Sequence, residues 1–288
     1  MQNRPSTPAG RRGTGPLIGP VDGPAIHVMT FNVRRRMNGT SWRRADRWRH
    51  RAAAVRALLR TEQPTILGAQ EVLPDQAAAM RDALGGRYRF VGRGHGPRGS
   101  GEGCPLFFDA ERLELVEWEQ TALSERSREP GSRSWGNFIP RIAVEARLRD
   151  RVTGLAFTAV NTHLDPFSPR SRIRSVEALQ AMLTRGPAIL TGDLNAGEGS
   201  RTLRALLADA SLRDAWTAAE QRVTASVGTF ANYRAPRPDR PRIDWIVVTA
   251  DVAVQRAAIN DFRHEEVWPS DHLPVQAVVA LPATGGAQ

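Results

Sequence analysis

Ile189-Leu190-Thr191-Gly192-Asp193-Leu194-Asn195 decides how the rest of this chain is read. The apolar run 187–190 has the composition of a buried strand, and it ends on a glycine, a carboxylate, a leucine and a carboxamide. If the extended backbone persists, Asp193 and Asn195 share a face, because side chains two apart in a strand point the same way. An acceptor and an amide at the mouth of a strand suit the place where α/β sheets hold ligands. Gly-Asp-x-Asn is also ordinary turn chemistry, so the stretch acquires meaning only from its companions.

Working outward, similar polar residues recur beside other expected strands. A β-branched and aromatic run over 26–33 carries Asn32, a buried strand over 65–70 precedes Glu71, and the strand 155–162 precedes His163. A strand over 243–248 carries Asp244, and a loop with Ser270-Asp271-His272 precedes a last strand over 274–281. Helical spacing is expected within 42–60, at 74–84 with Pro near the first turn, through 173–183 and at 200–208. A glycine-laden loop over 92–103 holds His95, Arg98 and Glu102, strands 139–148 and 155–162 form a hairpin, and 234–242 is a Pro/Arg loop. Many strands with few helices, without strict βα alternation, predict a four-layer α/β sandwich: two packed mixed β-sheets flanked by helices. Six strand ends would then bring their polar residues to one rim.

A length of 288 residues suffices for a full hydrophobic core, assigned to 25–282. The Pro/Gly/Arg-rich segment 1–24 reads as a disordered tail and 283–288 as a short one. No apolar run is long enough to span a bilayer, no apolar segment of a secretory signal follows Arg11 and Arg12, and Cys104 is alone. A cytoplasmic monomer without internal disulfides is therefore the expectation. The net charge of +10 would suggest a polyanionic partner, but every basic residue is Arg and none is Lys, which points to codon bias. The excess is also local: the first 60 residues hold 13 Arg against only Asp22 and Asp46.

Together Phe31-Asn32, Gln70-Glu71, Gly101-Glu102, Arg141, Asn161-Thr162-His163-Leu164-Asp165, Gly192-Asp193-Leu194-Asn195, Ile243-Asp244 and Ser270-Asp271-His272 resemble, in order and spacing, the endonuclease/exonuclease/phosphatase superfamily, which includes DNase I-like nucleases. The resemblance covers about residues 26–282. It implies metal-dependent hydrolysis of a phosphate ester, with Mg²⁺, for which Mn²⁺ could substitute. Such chemistry needs an anionic oxygen neutralised and a water activated, and Mg²⁺ prefers oxygen ligands. By resemblance Glu71, Asn32 and Asp271 are the metal candidates, His163 pairs with Glu102, and His272 pairs with Asp244. Asp193 would orient the attacking water, and His272 would bind phosphate and meet its transition-state charge. His163 would protonate the leaving group or touch phosphate. Asn195 and Arg141 would hold the phosphate oxygens, while Asn161 and Asp165 support loops.

Arg34, Arg35 and Arg36 follow Asn32 directly, and Trp42, Arg43, Arg44, Arg47, Trp48, Arg49 and Arg51 come soon after. Arginine interleaved with tryptophan suits an anionic strand carrying bases, which favours a nuclease. A solvated helix face is the plainer reading. The alternative enzyme is a phosphatase or phosphodiesterase for a small anionic molecule or lipid head group. A binding module with a dead site would show a substituted metal or histidine position, and none of the expected positions is substituted.

Overall fold

The computed structural model describes residues 15–37, 41–208 and 210–282. Numbered along the chain, its strands form two mixed sheets. The first runs β10 (Gln221–Arg222), β12 (Ala253–Ile259), β13 (Val275–Ala280), β1 (Ala25–Asn32), β2 (Ile66–Gln70), β4 (Leu106–Asp109), β3 (Tyr88–Val91). The second runs β5 (Leu113–Ala122), β6 (Ile142–Asp150), β7 (Ala156–His163), β8 (Ala188–Asp193), β11 (Asp244–Thr249), β9 (Leu212–Asp214).

The period of two along each strand explains the layers. In β1, Ile26 and Val28 enter the core between the sheets, whereas Met29 and Phe31 face α1 (Trp48–Glu62) and α2 (Pro74–Leu84). In β8, Ile189 faces the other sheet, whereas Leu190 joins α3 (Pro169–Met182) and α4 (Arg201–Leu206) in the opposite outer layer. The expected four-layer sandwich is the fold. The same alternation puts Asn32, His163, Asp193 and Asp244, each at a strand end, in the row between the sheets.

Below that row the sheets are joined by polar contacts. Gln70 Nε2 donates to Thr30 Oγ1 at 3.0 Å and to Asn161 Oδ1 at 2.7 Å. Asn161 Nδ2 in turn donates across the gap to the carbonyls of Ala69, Cys104 and Pro105, at 2.8, 3.0 and 3.1 Å. Gly68 permits this approach, since an added Cβ would collide with Thr191 and Asn161.

Two expected boundaries move. β6 starts at Ile142 instead of 139, because Pro140 has no N–H for a sheet ladder. The expected tail over 1–24 is wrong for its described part: the amides of Leu17, Ile18 and Gly19 donate to the buried Glu62 carboxylate at 2.7, 3.1 and 3.0 Å. A carboxylate that accepts three backbone amides fixes that segment despite its Pro/Gly content. Residues 1–14 and 283–288 lie outside the described residues. No helix among the described residues is long and apolar enough to cross a membrane.

Candidate active site

Strand register assembles the centre of the site. His163 of β7 is aligned with Asp193 of β8, and Asp193 with Asp244 of β11, so the three side chains stand abreast on the inner face of one sheet. Asn32 projects from the facing sheet, and its Nδ2 donates to Asp193 Oδ2 at 3.0 Å and to Glu71 Oε1 at 3.1 Å. Glu71, just past β2, has φ +59°, a turn that carries its carboxylate back to the rim. Burial alone would raise the Glu71 pKa. The charge of His163, which is protonated at the acid pH where Glu71 titrates, and that of Arg34, with donors from Asn32 and the Arg35 amide, instead hold it down at about 2.

The two histidines differ. His272 Nδ1 lies 2.9 Å from Asp244 Oδ2, the pairing that the family resemblance implied. Burial opposes its charge, but Asp244 and Asp193 outweigh burial and raise its pKa to about 10. His163 Nε2 lies 3.5 Å from Asp193 Oδ2. Burial lowers its pKa to about 4, helped by Arg141 and only partly opposed by Asp193. The implied His163–Glu102 pair is not formed: among the described residues, the Glu102 carboxylate has its ion-pair contact with Arg35 Nη1, at 3.4 Å. Glu102, His163, Arg141, Glu71 and His95 nonetheless line one small cleft. Burial first, and then the Glu71 charge, raise the Glu102 pKa.

Asp193 is buried, with its Oδ2 shared by Asn32, His163 and His272, the last at 3.7 Å. Burial and the nearby Asp244 raise its pKa. Asn195 departs from the extended reading: its φ of +47° folds the backbone, so its amide N–H donates to Asp193 Oδ1 at 3.0 Å. Its Nδ2 donates to the Leu164 carbonyl at 2.9 Å. Arg141 is buried, 3.6 Å from Asp165 Oδ2, and its Nε has no hydrogen-bond partner. Asp165 Oδ1 accepts the amides of Phe167 and Ser168 at 2.8 and 2.7 Å.

The arginine cluster is divided: Arg51 is buried, Arg34 and Arg36 are half-buried in ion pairs, and Arg35, Arg44 and Arg49 are exposed. Arg34 Nε lies 3.3 Å from Asp46 Oδ1 and 3.5 Å from Asp271 Oδ2, and its Nη1 is 3.7 Å from Glu71 Oε2. Arg36 Nε pairs with Asp75 Oδ2 at 2.9 Å. Arg51 has no exposed surface and donates to the carbonyls of Val33, Pro269 and Arg34 at 2.7, 2.8 and 2.8 Å. It thereby ties the loop after Asn32 to the loop that carries Asp271 and His272. The sequence reading missed that role. The signal was helical spacing, because Arg51, Val55, Leu58 and Glu62 all fall on the buried face of α1. Trp42 remains 88% exposed, whereas Trp48 packs on the helix-side core.

Two groupings could hold a cation. Asp193, Asp244 and His272 place one ligand atom each within 4.8 Å of one another. His272 in its protonated form has no free lone pair for a metal, which weakens that set. Glu71 and Asp271 both face the Arg34 guanidinium and offer oxygens alone, as Mg²⁺ prefers. Asn32, the third expected ligand, directs its N–H groups to two carboxylates, and its Oδ1 accepts the Arg34 amide at 2.9 Å. It orients Glu71 and Asp193, and its Oδ1 already accepts one hydrogen bond.

The endonuclease/exonuclease/phosphatase family model matches residues 29–272, which spans the whole constellation. No curated protein matches the chain by sequence. Among solved structures, an endonuclease/exonuclease/phosphatase from Bacteroides vulgatus is 29% identical, with TM-score 0.82 over 89% of this chain and 99% of that one. A mannosyl-6-phosphatase from Bacteroides thetaiotaomicron is 28% identical, with TM-score 0.81 over 89% of this chain and 100% of that one. The human Nocturnin catalytic domain with bound sulfate shares the fold, at 20% identity and TM-score 0.67 over 89% and 93%. The chain belongs to the endonuclease/exonuclease/phosphatase family and is a hydrolase of phosphate esters.

Proposed function

We infer that this chain is a Mg²⁺-assisted phosphatase of small phosphorylated molecules. The observation that carries the substrate reading is that Arg34 and Arg51 are held by protein carboxylates and carbonyls, which leaves Arg35, Arg44 and Arg49 as the exposed members of the cluster. The similarity to a mannosyl-6-phosphatase over 89% of the chain supports the same choice.

Glu71 and Asp271 would hold the ion, and Mn²⁺ could replace it. When bound, it would supply Lewis-acid neutralisation of a phosphate oxygen. Arg141, buried with an Nε that makes no hydrogen bond and lies 3.6 Å from Asp165, is suited to a phosphate oxygen in the cleft it shares with His163. His163 stays neutral, so it donates an N–H to phosphate and is a poor leaving-group acid. His272, kept cationic by Asp244, meets the charge that grows on the phosphoryl group. Asp193, with its raised pKa, is the base for the attacking water, and the Asn32 amide and the Asn195 backbone hold it in place. Asn195 thus acts on Asp193 through its backbone amide.

The test is phosphate release from sugar phosphates, mononucleotides, inositol phosphates, single-stranded RNA and DNA with Mg²⁺, Mn²⁺ or EDTA. Asp193→Ala protein serves as the contamination control. Turnover of the small esters that needs both metal and Asp193 is expected. Polynucleotide cleavage with the same two requirements, and no small-ester turnover, would restore the nuclease reading for which exposed Trp42 still speaks.

A further inference from the structure

The Pro/Arg loop, taken with the segment 228–233 that leads into it, has no part in the chemistry above, yet it is built against it. Thr229 Oγ1 accepts the amides of Ile243 and Asp244 at 2.9 and 3.2 Å, and the Thr229 carbonyl accepts the Leu273 amide at 2.7 Å. The Asn232 amide donates to the Asp271 carbonyl at 2.8 Å. The loop is therefore pinned to the backbone on either side of the His272–Asp244 pair. At its far end Arg242 is buried, paired with Glu198 at 2.7 Å and Asp214 at 3.0 Å, with its guanidinium 4.4 Å from the Trp245 ring centre. Pro236, Pro238 and Pro241 fix φ between these anchors. Gly228 lets the loop close on itself, because an added Cβ would collide with Arg240.

The loop borders an open pocket of about 250 Å³, lined by Phe230, Asn232, Arg234, Arg237 and Arg240 among others. That is below the size that takes a whole drug-sized ligand, so it suits one part of a molecule. Phe230 forms the wall towards the chemistry: its ring centre is 5.0 Å from that of His272, and 47% of the residue is exposed. Arg237 is neutralised by Asp239 at 2.6 Å. Among the described residues no carboxylate pairs with Arg234 or Arg240. An aromatic face beside the histidine that would contact the scissile phosphate therefore shares a pocket with two exposed guanidiniums that have no ion-pair partner among the described residues.

We propose that this pocket is a specificity subsite for a second phosphate carried on a ring that packs against Phe230, so that the preferred substrate is a ring compound with two phosphates. The ring could belong to a sugar or to a nucleoside, and the proposal rests on the phosphatase reading. Hydrolysis is compared for fructose 6-phosphate against fructose 1,6-bisphosphate and for adenosine 5′-monophosphate against adenosine 3′,5′-bisphosphate. The proteins are wild type, Arg234→Ser/Arg240→Ser and Arg234→Lys/Arg240→Lys. In at least one pair the wild-type KM for the bisphosphate is lower by about tenfold, the worth of one charge-assisted hydrogen bond. The serine variant loses that preference with kcat and the monophosphate KM retained, and the lysine variant recovers part of it. The pair that responds identifies the ring.

Equal KM values in wild type, or a preference that survives the serine changes, would overturn the subsite. If no ester is turned over, the phosphatase reading is what has failed. Calorimetric binding of the two bisphosphates to wild type and serine variant then decides the pocket, supporting it if the serine changes weaken binding and rejecting it if they do not.

Discussion

His163 and His272 approach the same oxygen of Asp193, at 3.5 and 3.7 Å, and both are buried, yet one is held neutral and the other cationic. Burial penalises the charged ring in both cases. What separates them is a private partner: Asp244 lies 2.9 Å from His272 Nδ1, whereas His163 has the Arg141 charge nearby and no carboxylate of its own. Two imidazoles around one phosphate site thus receive different tasks from their neighbours, not from their residue type.

The largest effect should follow from removing the oxygen they share. Asp193→Ala is expected to lower kcat by on the order of 10⁴, read by steady-state phosphate release. Turnover near wild type would remove Asp193 from its role as base. Asp244→Asn should cost about 10² in kcat and bring the His272 titration, followed by NMR, back towards the ordinary histidine value, with His163 unmoved. Equal movement of both rings would show that they are not independently set.

The pair should also leave two opposite limbs in the pH dependence of stability, measured by urea unfolding. His272, raised from 6.5 to about 10, stabilises fully below pH 6.5, and that contribution is lost as pH rises from 6.5 to about 10. His163, lowered to about 4, works in the other direction. Between pH 6.5 and 4 the unfolded chain takes up a proton that the fold refuses, so stability falls with acidification. His272→Gln should flatten the alkaline limb. His163→Gln should flatten only part of the acid limb, because His27 and His95 are also lowered to about 4, by burial. A single limb common to both variants would contradict the assignment.

The smallest change is expected at Glu102. Since its carboxylate faces Arg35 and not His163, Glu102→Gln should leave the His163 titration in place and cost kcat about tenfold or less. A clear shift of His163 would re-establish the pair implied by family resemblance.

Much of this site was legible before any coordinates. Asn32, Glu71, His163, Asp193 and Asp244 were recognisable because hydrophobic alternation marks where a strand ends and which residues stand there. Arg51 was misread as one of a surface series although its helical spacing placed it with Val55 and Leu58 on the buried face. Asn195 was misread because extended geometry was carried two residues too far, past the point where φ turns positive. The segment 15–24 was misread because composition does not reveal Glu62, some 40 residues away, as its partner.

By itself the sequence determined the layers, the strand ends and the residue types gathered there, since these follow from local periodicity. Only the tertiary structure decided which carboxylate each histidine meets, which arginines are held by protein groups and where Arg234 and Arg240 stand without an ion-pair contact among the described residues. Those outcomes depend on contacts between segments far apart in the chain and on the burial that packing creates. Charge state is set by such distances and by exclusion of water, and neither is encoded at any single position.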